Sequence, residues 1–193
     1  MKLFLMLVLI FATSCVDLYI RENFTYLFDG KNTGIDTLLH VDGYFINLDA
    51  KCSDYSDSKF MFYRDGTFTN CMFVNKFKND NVKEETVSMI FGWGRYIIEG
   101  DTIKAQTVIS PNGHYFGTIY FYKLYVIEQW FKIINKDTLK EIFWKDLIEK
   151  RPKEKLCECN SPISYYISLK NKPDSLCELK ENKWAWKDGK IIK

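Results

Sequence analysis

The stretch Phe60-Met61-Phe62-Tyr63-Arg64-Asp65-Gly66-Thr67-Phe68-Thr69-Asn70-Cys71-Met72-Phe73-Val74 decides the fold class of this chain. Two runs rich in aromatic and β-branched residues flank Arg64-Asp65-Gly66. Asp-Gly between such runs is a strong hairpin signal, because a tight turn needs positive φ and glycine adopts it without a Cβ clash. Upstream, Tyr44 to Ala50 alternates as a strand does. Downstream, a polar insert from Asn75 to Glu85 separates the hairpin from Thr86 to Phe91. Then come Trp93 to Glu99, Thr102 to Ile109, Tyr115 to Val126, Trp130 to Ile134 and Thr138 to Phe143. Turn residues punctuate them at Gly100-Asp101, Ser110-Pro111-Asn112-Gly113 and Asn135-Lys136-Asp137. This spacing predicts an all-β protein, an antiparallel meander of about eight strands that closes into a barrel or folds as a sandwich.

A local repeat supports the meander. Ile97-Ile98-Glu99-Gly100-Asp101-Thr102-Ile103-Lys104 reappears as Ile133-Ile134-Asn135-Lys136-Asp137-Thr138-Leu139-Lys140. Two copies are too few for a solenoid and read as two similar hairpins of one sheet, turning on Asp101 and Asp137.

Composition sets the outer limits. Hydrophobic residues at 47%, 17% of the chain being aromatic, suffice for a sizeable core, and 27% charged residues supply its surface, which excludes intrinsic disorder. The net charge is +2 with the basic residues scattered, so no concentrated footprint for nucleic acid exists.

The first residues carry an address. After Lys2, Leu3 to Ala12 is an unbroken apolar run, closed by Thr13-Ser14-Cys15. Ten apolar residues are too short to cross ~30 Å of hydrocarbon as a helix but suit the core of a secretory signal. Ala12-Thr13-Ser14-Cys15 resembles a lipobox, at which the cysteine is diacylated and becomes the mature N-terminus. No later apolar run reaches ~18 residues, so no transmembrane helix is expected. The expected organisation is therefore a signal peptide over 1–14 and a lipidated tether and lead-in over 15–42. A β-barrel core over 43–144 and a C-terminal extension over 145–193 follow. Pro173-Asp174-Ser175 opens a short helix in that extension, and Trp184 and Trp186 share one face of a strand near its end.

Candidate chemistry is sparse. The two histidines, His40 and His114, lack any local nucleophile and orienting acid, so no catalytic residue is assigned and enzymatic activity is not expected. Cys52, Cys71, Cys157, Cys159 and Cys177 are disulfide candidates in an exported protein, one of them left over. Cys157, Cys159 and Cys177 lack a fourth ligand nearby, and Asp54 and Asp57 lack the rest of a calcium loop, so no metal or cofactor is expected. A barrel of about eight strands is either filled by side chains or holds one small apolar ligand. Trp93, Tyr96, Tyr115 and Trp130 are the candidate ligand contacts, taken from an aromatic set that also includes Phe60, Phe62, Phe68, Tyr120, Tyr122 and Trp144.

Taken together, several motifs resemble those of small uncharacterised lipoproteins of Bacteroidetes and their lipocalin-like β-barrel domains. They are the Cys15 lipobox, Gly43-Tyr44, Phe62-Tyr63-Arg64-Asp65-Gly66-Thr67 and Trp93-Gly94-Arg95-Tyr96 through Glu99-Gly100-Asp101-Thr102-Ile103. Lys172-Pro173-Asp174-Ser175 and Lys183-Trp184-Ala185-Trp186-Lys187 complete the set. The resemblance implies a lipocalin-like barrel, anchored to the membrane through Cys15, that binds a small ligand or an envelope partner without catalysis. A hydrolase with a site assembled from separated strands, or a structural or inhibitor-like module, are the alternatives. Surface-exported lipoproteins of that group often carry acidic residues after the lipidated cysteine. Here only Asp17 follows, so the periplasmic face of the outer membrane is expected.

Overall fold

The computed structural model describes residues 22–47, 59–79, 82–109, 125–147, 163–175, 180 and 185–187. A single helical turn, α1 (Ile35–Leu38), precedes eight strands: β1 (Gly43–Asn47), β2 (Lys59–Phe62), β3 (Thr67–Asn79), β4 (Val82–Glu99), β5 (Thr102–Ile109), β6 (Tyr125–Asn135), β7 (Thr138–Asp146) and β8 (Ile163–Ser168). Each strand pairs antiparallel with the next, and β8 returns to β1 with Gly43 opposite Ser168 and Asn47 opposite Ser164. The sheet is a closed barrel in which every strand has a neighbour on both sides.

The expected all-β antiparallel meander is therefore the observed fold, with its strand list redrawn. Thr86–Phe91 and Trp93–Glu99 are one strand, because Gly92 and Gly94 stay in the ladder opposite Ile109 and Thr107. The polar residues 75–85 do not interrupt the sheet: β3 and β4 pair through them as far as Asn79 opposite Val82, bulging between Phe73 and Val74. Val126 and Trp130 belong to one strand rather than two. The closing strand β8 comes from beyond the 43–144 span. The short helix expected after Pro173 falls outside the described residues.

The Asp65-Gly66 turn forms as its sequence dictates. Gly66 has φ 85°, Gly66 N–H donates to Tyr63 O, and the Asp65 carboxylate accepts Thr67 N–H at 2.9 Å. The two repeat copies are the β4–β5 and β6–β7 hairpins. Gly100, at φ 62°, lets the first close with Glu99 opposite Thr102. The second has Lys136 there, and its register shifts between Ile133 and Asn135. Asn135, not Asp137, accepts an amide, that of Asp137 itself, and Asp101 accepts the Thr102 hydroxyl.

One half of the barrel interior is solid. Phe45, Phe60, Phe62, Phe68, Tyr96 and Phe131 face inward and are buried. The Phe60–Phe131 and Phe62–Phe68 ring centroids are 4.8 Å and 5.0 Å apart. Each buried ring is worth about 1.5–3 kcal/mol in transfer from water, with about 0.5–1.5 kcal/mol more per favourable ring pair. The segment through α1 lies across this end. Ile35, Leu39 and Val41 join the aromatic cluster, and its flanks bond to two turns through Thr33 N–H to Arg64 O and His40 N–H to Lys136 O.

A second cluster covers the outside. Phe24 and Phe28 pack on Val126, with Ala185 and Trp186 beside them. Phe28 and Trp186 form a parallel bridge, so the segments around these two residues are held together on the same outer face.

Candidate functional site

Strand alternation sorts the barrel side chains by face. Away from the α1 end, the inward positions turn polar. Thr107 follows Ile103 and Ala105 on the inner face of β5, Asn70 follows Phe68 on β3, and Gln129 lies opposite Ala105 on β6. The Asn70 amide donates to Gln129 Oε1 at 2.6 Å, across 59 residues of sequence. Gln129 Nε2 in turn donates to Glu141 Oε2 at 3.4 Å. Asn70, Thr107 and Gln129 are all buried, and the Thr107 hydroxyl has no hydrogen-bond partner. A buried hydroxyl without a partner costs about 1–3 kcal/mol, so this half of the interior is chemically unfinished where the aromatic half is complete. The amide–amide–carboxylate row and the Thr107 hydroxyl are hydrogen-bonding groups turned to the inside of the barrel.

A second polar cluster lies at the α1 end. Ser175 Oγ donates to Asp65 Oδ2 at 2.6 Å, and Lys180 Nζ donates to the same oxygen at 2.5 Å, to Ser175 O at 2.8 Å and to Ser175 Oγ at 3.0 Å. Serine beside lysine has the composition of a nucleophile and base. Here, however, all three ammonium protons are engaged and the hydroxyl proton is held by Asp65, so the lysine has no lone pair to offer. Burial pushes the Asp65 carboxyl up, but hydrogen bonds from Lys180, Ser175 and Thr67 outweigh it and hold it at about 2. The cluster is a clamp fastening the C-terminal arm to the β2–β3 turn.

Beside it a cleft of about 260 Å³ is lined by Val41, Asp42, Tyr63, Arg64, Lys172 and Pro173, among others. Lys172 Nζ donates to Val41 O and to Phe62 O and lies 4.0 Å from the centre of the Tyr63 ring. Desolvation lowers its ammonium to about 8. Two carbonyls and a ring face leave this nitrogen no direction in which to attack a bound molecule, so its role here is to hold the chain.

The four aromatic candidates do not converge. Tyr96 faces inward among the phenylalanines, donates to Tyr63 O at 2.6 Å and sits 2.5 Å from the Thr33 hydroxyl, with burial raising its phenol above the ordinary range. Trp93 packs on the outer face, against Tyr63 and the second cluster. Trp130 is also outside, its indole N–H on Glu128 and its ring 4.5 Å from that of Phe143. Tyr115 lies outside the described residues, as do His114, Cys15, Cys52, Cys157, Cys159, Cys177, Asp54, Asp57 and Trp184; Cys71 is placed only as a backbone position of β3. His40 is half-exposed, 3.6 Å from the exposed Asp137, its ring against Tyr166. Among the described residues no group of three or more His, Cys, Asp or Glu side chains could hold a metal ion.

Sequence reasoning missed Asn70, Thr107 and Gln129. The one signal available was polar residues at inward positions of strands otherwise apolar on that face. No family model, curated protein or solved structure matches this chain.

Proposed function

We propose that this protein is a lipid-anchored lipoprotein of a bacterial cell envelope, tethered through Cys15 at the periplasmic face of the outer membrane. Its barrel binds a small molecule without transforming it. The binding half of this reading rests on one observation: the Asn70–Gln129–Glu141 row beside the unpartnered Thr107 hydroxyl, inside a barrel whose other half is filled. A purely structural core gains nothing from burying amides and a hydroxyl that hydrocarbon could replace. The ligand it suits is small and amphiphilic, with an apolar body and a hydrogen-bonding group directed at Thr107 and Gln129.

Native mass spectrometry of the protein purified from its own envelope, with titration of 1-anilinonaphthalene-8-sulfonate and fatty acids followed by tryptophan fluorescence, tests it. Saturable binding that weakens about tenfold in Thr107→Val or Gln129→Leu, the loss of about one hydrogen bond, is expected. No bound molecule and no saturable response, with Gln129→Leu simply raising thermal stability, would show a core that is only packing.

A further inference from the structure

Among the described side chains, every large hydrophobic one that is prominently exposed lies on three adjacent strands. They are Ile134 at 52%, Ile142 at 45%, Ile163 at 40% and Tyr165 at 44%. Single exposed apolar residues are ordinary, but four on one outer face are a surface feature. The register explains the grouping. Lys132, Lys140 and Ile163 stand side by side across β6, β7 and β8, and Thr138 and Tyr165 form the next row. Ile134 and Ile142 are the extra residues at the two register shifts between β6 and β7, which turns both outward.

Among the charged residues of this face and its turn, four lysines outnumber the carboxylates of Glu128 and Asp137. Lys132, Lys136, Lys140 and Lys145 point outward from β6, β7 and their turn, and Lys132 meets Asp101 only at the exposed periphery, 3.3 Å away. Lysines interleaved with isoleucine and tyrosine match an anionic lipid surface: the alkyl stems and rings enter the interfacial region while the ammonium groups meet headgroups.

The N-terminal segment from Thr25 borders this face. The N-terminal segment leaves the barrel alongside β6, where Tyr26 bonds Glu128 at 3.2 Å and Thr25 and Tyr26 bond Gln106. Six residues lie between Cys15 and Glu22, and the seven steps from one to the other span roughly 25 Å when extended. An anchor at Cys15 therefore holds the β6 side of the barrel within reach of the bilayer.

We propose that the outer face of β6–β8 docks directly on an anionic phospholipid surface, so that the barrel lies on its side against the membrane. This rests on the anchored reading only for delivery; the face has its own affinity. The test uses the chain from residue 15 with Cys15→Ser, which removes any acylation and the apolar leader. It is co-sedimented with phosphatidylcholine vesicles with and without phosphatidylglycerol. Salt-sensitive binding to the anionic vesicles is expected, at least about tenfold weaker in Lys132→Glu/Lys140→Glu and in Ile142→Asn/Tyr165→Ser. All four positions are at the surface, so unchanged thermal unfolding confirms that the variants fold. Absence of binding, or binding that both variants retain, overturns the proposal. So does a dimer in analytical ultracentrifugation that Ile142→Asn/Tyr165→Ser dissolves, since a second copy would then cover the face. Mass analysis of the Cys15 peptide from native cells reports acylation separately, so the two readings fail independently.

Discussion

Asp65 shows how one residue serves two levels of this structure. Its Oδ1 closes the β2–β3 turn through Thr67 N–H, and its Oδ2 holds Ser175 and Lys180. The folded-state carboxyl sits at about 2 against an ordinary 3.8. Its stabilisation is therefore complete above the ordinary value and disappears as pH falls through about 2. With the side chain 37% exposed, solvent screening reduces the net worth to about 1 kcal/mol. Asp65→Asn should lose about that much near neutral pH and show a flatter acid limb in urea unfolding measured across pH. The turn role was legible, because Asp-Gly is a local signal. The clamp was not, because Ser175 and Lys180 are 110 and 115 residues away and nothing in the intervening sequence points to them.

At the scale of elements, β4 is the informative strand. Gly92 falls between two strands as the sequence reads, since glycine weakens a strand, yet the ladder runs through it and through Gly94. Gly94 is there for space: a Cβ would lie 1.8 Å from Gln106 O and 2.7 Å from the Thr107 Cα. Gly94→Ala should push β4 off β5 and cost about 2 kcal/mol or more, visible as a lowered urea midpoint and faster amide exchange along both strands. Retained exchange protection there would show that the sheet has slack at this crossing. A reader of sequence sees only that glycine is present; close approach of a neighbouring strand is a property of the closed sheet.

For the whole molecule, closure separates what is inside from what is outside. Phe131 touches Phe60, Phe62 and Phe68 at the centre of the filled half, at centroid distances of 4.8 Å and 6.0 Å. Phe131→Ala should cost about 3–5 kcal/mol in equilibrium unfolding, with loss of near-ultraviolet circular dichroism preceding loss of the strand signal. An effect under about 1 kcal/mol would mean that the cluster collapses into the space. The sequence by itself determined the all-β class, the antiparallel meander and the Asp65-Gly66 and Gly100-Asp101 turns, because alternation and turn chemistry act between residues a few positions apart. It also marked Cys15 as the expected anchor. Only the tertiary structure decided that Tyr96 faces in and Trp93 and Trp130 face out, and that Asn70 meets Gln129. It alone brought four exposed hydrophobic residues onto one face. Each of these depends on which strand lies beside which once β8 returns to β1, and that pairing is a long-range energetic outcome no local pattern encodes.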